Sequence, residues 1–549
     1  MNKLNKKSHF PVHLAVAGIV FFTAALLFSG CFSPWGGDEG TLSINLGGNG
    51  QARAGWNIYA ENGKYSHEII LEGPGGTIRK TIDGGSRSAS FQLVPGTWQV
   101  TVRAMGERPE GPGFYYADHG FPETMLKALG YADVVIKAGQ KSSASMDMAT
   151  ATEVFNEEQL SAALGWLSSD IEEYVLVAND IPDLDGTIPV SAAATLLADR
   201  NVRITRGVGH TDIMFELSGT GTRLTLGRPG MKGSLTIDGS GNNVDGSILF
   251  VNSDALAVIN EGVALINNNV ASDSGGAIYL NGGILIMNGG AISNNSSSTS
   301  ANDGKGGGVY MNNGIFTMNG GVISGNACDG RGGGVCVGDG IFTMTGGRIS
   351  GNMPVSLSDP LHGGGVYVGG NASFTMQNNS VVSGNSCYGG GGVHVEGRFT
   401  MEGNTAVSGN YAVFGGGVFA ETSGSTFLMR GNASVSANSV DAVFVQGIFY
   451  MRENASVSAN EGYGIQLLSN FTPFGRFFIE GGTVYGHDER NPALSNQEGS
   501  IFKQTGSCVA EYGTLDETET WSRVDDLMLS GLTETNETIR VANGVLLGH

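Results

Sequence analysis

Seven positions in the second half of the chain share one place in a repeat and, largely, one chemistry. Tyr279, Tyr310, Cys336, Tyr367, His394, Phe419 and Phe444 each stand between two apolar residues, as Tyr310 does between Val309 and Met311 and His394 between Val393 and Val395. Alternation along a β-strand turns the flanking pair to one side and the middle residue to the other. If the apolar pairs face a core, the middle residues face out. A mainly aromatic column offers ring faces to a sugar or a protein surface. Tyr279, Tyr310, Tyr367, His394, Phe419 and Phe444 are therefore a candidate binding ladder. The same column also has a structural reading, because aromatic neighbours along a sheet stabilise each other by about 0.2–1 kcal/mol per pair.

Catalytic chemistry has weaker candidates. Hydrolysis of a glycosidic bond needs two carboxylates about 5–10 Å apart. Glu396 and Glu421 occupy corresponding places in adjacent repeats and form a loose pair, both in variable turns. A lyase acting on acidic sugars needs basic residues, yet residues 250–480 hold seven Lys plus Arg against fourteen Asp plus Glu. Asp180, Asp183 and Asp185 lack the glycine and the terminal glutamate of a calcium loop and read as turn acids. His362 and His394 read as isolated surface residues. Cys328, Cys336, Cys387 and Cys508 show no CxxC spacing, which excludes zinc and redox motifs of that type. Lys305 sits in a glycine run but has no serine or threonine after it, so the run is not a phosphate loop. No catalytic residue, metal or cofactor is expected.

The element that positions the column is a repeat of 22 to 31 residues. Its openings are marked by Gly275, Gly306, Gly332, Gly363, Gly390 and Gly415, each followed within three residues by Ile278, Val309, Val335, Val366, Val393 or Val418. A second strand carries Phe316, Phe342, Phe374, Phe399, Phe427, Phe449 and Phe477, most with a methionine two residues on. A third ends at Asn326, Asn352, Asn385, Asn410, Asn438 and Asn460. Three short strands at this period predict a solenoid. Phenylalanine and methionine columns form its core, glycines serve its corners, and asparagines form a turn ladder in the left-handed conformation with amides bonding the next coil. The fold class is all-β: an N-terminal Ig-like β-sandwich followed by a right-handed parallel β-helix with three strands per coil and a short capping helix.

The rest of the chain fits around that array. Residues 1–30 have a basic start at Lys3, Lys6 and Lys7 and an apolar run over 14–27, too short for a bilayer span of about 20 residues but suited to a signal sequence. Residues 31–40 read as a linker. Residues 41–150 hold short alternating strands with Gly/Pro turns and predict the sandwich. Residues 151–490 hold the β-helix, with its capping helix near 156–167. Asn156 and Gln159 there have capping-box spacing. Residues 491–549 read as a C-terminal cap.

Two resemblances add expectations. Phe28-Ser29-Gly30-Cys31, directly after the apolar run, resembles a bacterial lipoprotein signal of the looser, spirochaete-like kind. It implies that Cys31 becomes an acylated N-terminus, and that the protein is held to the cell envelope, at the surface of the outer membrane, through that lipid. The glycine-run openings such as Gly275-Gly276-Ala277-Ile278, with Phe316-Thr317-Met318-Asn319, resemble the repeats of the chlamydial polymorphic outer-membrane proteins over roughly residues 250–485. Thr345, Gln377, Glu402 and Arg430 depart from that motif where it has asparagine. A run near Leu93–Ala104 is similar to Ig-like spacer domains of the carboxypeptidase-regulatory type.

Composition supports the class. The chain has 89 glycines in 549 residues, more than twice the usual ~7%. A formal charge of −21 makes nucleic acid and anionic membrane patches poor partners. The expected function is a lipid-anchored, non-enzymatic surface protein with a structural or adhesive role toward host, matrix or glycan ligands. The alternative is a carbohydrate-active enzyme of the β-helix class.

Overall fold

In the computed structural model the repeats become a lattice of parallel strands. The structure describes residues 39–46, 65–86, 88–108, 117–146, 148–165, 172–241, 243–271, 275–299, 303–354, 362–468, 475–486, 493–504, 508–515, 521–526, 534–535, 538–542 and 545–547. The signal sequence expected over 1–30, the acylated Cys31 and most of the linker over 31–40 lie outside the described residues. The described chain is nearly all β, and its long parallel sheets are consistent with a β-helix. It divides into two compact units: the described residues up to 107 with 126–149, and 108–125 with the rest from 150 on.

In the first unit, Gly40–Asn45 pairs antiparallel with Ser88–Leu93 and parallel with Lys141–Ser145. A second set pairs Tyr65–Gly73 antiparallel with Gly76–Ile82 and with Gly96–Glu107. Alternation gives each strand one apolar side. Leu42, Ile44 and Phe91 from the first set share a core with Ile69, Leu71, Trp98 and Val100 from the second.

In the second unit the helix Glu157–Gly165 follows the strand Ala149–Val154, which pairs parallel with Glu173–Val177. Asn156 Oδ1 accepts from Gln159 N at 3.0 Å, the N-cap half of the expected capping box, while Gln159 Oε1 accepts from Phe155 N at 2.9 Å, one residue before the cap. Gln159 Nε2 also donates to Gly120 O at 2.9 Å. Residues 117–125, read from sequence as part of the sandwich, pack with this unit, and Phe121 and Leu160 share its core.

Parallel pairing then runs in register along the repeats. First strands stack as Val335–Val337, Val366–Val368, Val393–Val395, Val418–Ala420 and Val443–Val445. Second strands stack as Ile341–Met344, Ser373–Met376, Arg398–Met401 and Thr426–Met429. Third strands stack as Val322–Ser324, Arg348–Ser350, Val381–Ser383 and Ala406–Ser408. Phe342, Phe374, Phe399 and Phe427 are fully buried, with ring centroids 4.6, 5.0 and 5.0 Å apart along the column. The spacing is that of paired strands, so identical residues meet face to face.

The asparagines are a buried ladder, and the expectation that they adopt the left-handed conformation is corrected. That conformation belongs to the residue before each: Gly325, Gly351, Gly384 and Gly409, then Ala437 and Ala459. A glycine there turns the chain at no steric cost. The turn swings the asparagine amide inward, where it bonds the next repeat. At the N-terminal end the ladder meets the buried Arg206, whose Nη2 donates to Asn268 Oδ1 at 3.1 Å.

The parallel stack continues past residue 490. Gly499–Lys503 pairs parallel with Tyr463–Leu467, and Val509–Leu515 with Arg476–Ile479. It then meets antiparallel partners: Ile539–Ala542 on Gly482–Val484, and Trp521–Asp526 on Val509–Leu515. Antiparallel strands end the ladder and protect an edge that would otherwise template aggregation.

Candidate functional site

The middle residues of the first strands form the expected continuous column. Tyr279 pairs with Tyr310, Tyr310 with Cys336, Cys336 with Tyr367, Tyr367 with His394, His394 with Phe419 and Phe419 with Phe444. They lie apart from the main core, in small clusters of their own. The expectation that they form an open face is nevertheless corrected. Tyr310, Cys336, Tyr367, His394, Phe419 and Phe444 are all buried, and only Tyr279 is partly exposed.

What buries them is a second ladder, just upstream of each glycine run. Lys305, Arg331, His362, Gly389 and Phe414 form successive parallel bridges. The next residue is Gly306, Gly332, Gly363, Gly390 or Gly415, each with positive φ. At Gly306 a Cβ would come within 2.1 Å of Val309 O. That tight left-handed turn folds the upstream residue over the strand. Lys305 Nζ lies 5.6 Å from the centre of the Tyr310 ring, and the Arg331 guanidinium 5.2 Å from that of Tyr367. His362 lies 4.4 Å from His394, and Phe414 5.3 Å from Phe444. From Arg331 on, each cover residue sits over the column residue of the following repeat. Alternation within a strand cannot show a cover that is offset by a whole repeat.

The column also has acidic partners, one repeat further on. Burial, and then the neighbouring Glu396 carboxylate, pushes the Tyr367 hydroxyl well above its ordinary pKa. Glu421 Oε2 stands 2.9 Å from His394 Nε2. His394 is wholly buried, and this Glu421 oxygen approaches its Nε2 off the ideal N–H axis. Glu396 and Glu421 thus do share one column, but each engages a different residue. His362 and His394, read from sequence as isolated surface residues, are neighbours with Glu421 beside them. One donor atom from each of the three lies within 4.8 Å of the others. Asp180, by contrast, only accepts from Arg203 N at 2.8 Å, in keeping with a turn acid.

Beyond His394 the cover gives way to a cleft of about 560 Å³. Aromatic walls come from Tyr388, Phe414, Phe419 and Phe444, and acids from Glu421 and Asp441. Val413, Phe414 and Val440, also lining it, are exposed large apolar side chains, and so is Tyr411 nearby in sequence. The electrostatics are uneven. Burial, and then the neighbouring His394, pushes His362 down to about 4. The His394 contact holds Glu421 below the usual carboxylate range against the upward push of its burial. Burial raises Asp441 to about 6, although its Oδ1 accepts from Tyr463 N at 2.8 Å. Cys328, Cys336, Cys387 and Cys508 are buried free thiols.

Sequence reasoning missed Asp441, Tyr388 and Phe414. Tyr388 lies in a variable loop between repeats, and Phe414 holds the place just before the glycine run, where Lys305, Arg331, His362 and Gly389 share no chemistry that would mark it. Among the described residues no helix is long and apolar enough to cross a membrane. Comparison with family models, with curated proteins and with solved structures finds no match.

Proposed function

We propose that this chain is a lipid-anchored surface protein that binds its ligand in the aromatic cleft. In this reading Cys31 carries the lipid at the outer membrane, and an Ig-like sandwich and a right-handed β-helix with three strands per coil follow it along the chain. The observation that carries the proposal is the cleft: Phe414, Phe419, Phe444 and Tyr388 around about 560 Å³, with exposed apolar residues on its walls. Exposed apolar surface joined to a concave site marks a place for a partner. Aromatic walls suit the apolar face of a sugar ring or a protein side chain. The net charge of −21 favours neutral or cationic ligands over polyanions.

A glycan and matrix-protein array probed with the full chain in detergent tests this reading. Phe414 is partly exposed, so Phe414→Ser leaves the fold intact. Loss of a binding hot spot, about 2 kcal/mol, weakens a true ligand about twentyfold to thirtyfold. An array hit that Phe414→Ser does not weaken places the ligand elsewhere.

One observation favours a second reading, a carbohydrate-active enzyme. Glu421 and Asp441 share the cleft, and their environments push them in opposite directions, as an acid and a base require. Release of reducing ends from a bound glycan, abolished by both Glu421→Gln and Asp441→Asn, is the result that reading expects.

A further inference from the structure

We propose that His362, His394 and Glu421 bind a divalent first-row transition cation, with zinc the ion their donors suit best. The site goes beyond ligand binding in the cleft and does not depend on it. Two imidazoles and a carboxylate are a donor set that zinc takes readily. The residues reach one point from three parts of the lattice: His362 from the cover ladder, His394 from the first-strand column, and Glu421 from just after the next first strand, Val418–Ala420.

The His394 side chain is completely buried; its Nδ1 has no hydrogen-bond partner, and its Nε2 has only the off-axis approach of Glu421 Oε2 at 2.9 Å. His362 Nδ1 is likewise buried without one. Buried polar atoms without partners are costly and rare, and two adjacent imidazoles in this state call for a shared partner. A cation supplies it to one nitrogen of each ring.

The His394 ring is fixed by Tyr367, stacked at 5.3 Å, and by Phe419, edge-on at 5.1 Å. Zinc bonds of about 2.0–2.1 Å place tetrahedral donors about 3.3 Å apart. The 2.9 Å between His394 Nε2 and Glu421 Oε2 is already near that edge. The full donor span of up to 4.8 Å closes by side-chain adjustment at His362 and Glu421, both only partly buried. These two residues also line the cleft, so a bound ion keeps a position open toward it. Arg331, over the Tyr367 ring, opposes a cation; Glu421 and Glu396 offset it.

The test is titration of the chelator-stripped full chain with zinc and with cobalt(II). The wild-type chain is expected to take up one equivalent of either ion. Cobalt(II) then shows the visible bands of a low-coordinate nitrogen and oxygen site. His394→Phe, which keeps a ring in the stack, is expected to take up none. His362→Ala, at a partly exposed position, is expected to bind at least about tenfold more weakly. Circular dichroism matching wild type shows that the variants fold, and His362→Ala decides the matter if His394→Phe does not. No stoichiometric uptake by wild type, or uptake unchanged in His362→Ala, overturns the proposal.

Discussion

Asn352 Oδ1 accepts from both the backbone N–H and the side-chain amide of Asn326, at 2.9 and 3.0 Å. The same double contact recurs from Asn352 to Asn385, Asn385 to Asn410, Asn410 to Asn438 and Asn438 to Asn460. Each amide also reaches a carbonyl of the preceding repeat, as Asn352 Nδ2 does Ile323 O at 3.0 Å. A buried amide thus satisfies three neighbours at the corner where the strand ladder is interrupted.

Asn352→Ala leaves Asn326 N and Nδ2 facing a cavity. Each unsatisfied buried group costs about 1–3 kcal/mol. The expected outcome is a loss of stability of that order in denaturant unfolding. Hydrogen exchange should rise first near 323–327 and 349–353, because repeats couple chiefly to their neighbours.

Phe399→Ala tests the core. Its ring is fully buried, with centroids 5.0 Å from both Phe374 and Phe427. Truncating a buried phenylalanine costs about 3–5 kcal/mol. Exchange should open the adjacent repeats before the rest of the stack. Uniform protection along all repeats in the variant contradicts a stack of locally coupled units.

Asp441 gives a pH signature. Its carboxyl is raised by burial from 3.8 to about 6, so between these values the folded chain holds a proton that the unfolded chain releases. Stability from this group is present below about pH 4 and is lost as pH rises toward about 6, a change of about 3 kcal/mol. His362, lowered to about 4, acts oppositely: its contribution is lost as pH falls from 6.5 toward about 4. The difference between wild type and Asp441→Asn isolates the first effect. Asparagine keeps an acceptor for Tyr463 N, and the variant should lack the decline.

Cys31→Ala tests the anchor. The lipobox reading expects labelled palmitate in the wild-type protein and, in the variant, no label and a signal sequence left uncleaved by the lipoprotein route. Label retained by the variant contradicts it.

The legible part of the fold is the part that repeats. Phe399 and Met401 both point inward because strand alternation leaves no other choice, and Ile323 follows the same rule. Asn156 and Gln159 announced the helix because their chemistry is local. The left-handed corner was read one residue late, on Asn326 instead of Gly325. Ala437 and Ala459 show why: the corner tolerates a residue that no turn rule selects, while the inward amide requires asparagine. The site was less legible. His394 was recognisable as a column member, but its cover, His362, comes from the preceding repeat, and the sequence carries no mark of that offset. Phe414 keeps the register of the cover ladder, but the residue types before it share no chemistry, and Asp441 falls where the glycine run has been lost.

The central claim is that ligand seats in the cleft beside Glu421 and Phe444. Hydrogen exchange of the full chain, with and without the strongest array ligand, tests it most directly. Protection is expected in 411–421 and 440–446, where Phe414, Glu421, Asp441 and Phe444 line the cleft, with the strands of 65–107 unchanged. Protection in 65–107, or on the third-strand face around 322–324 and 348–350, with none in 411–446, contradicts the account.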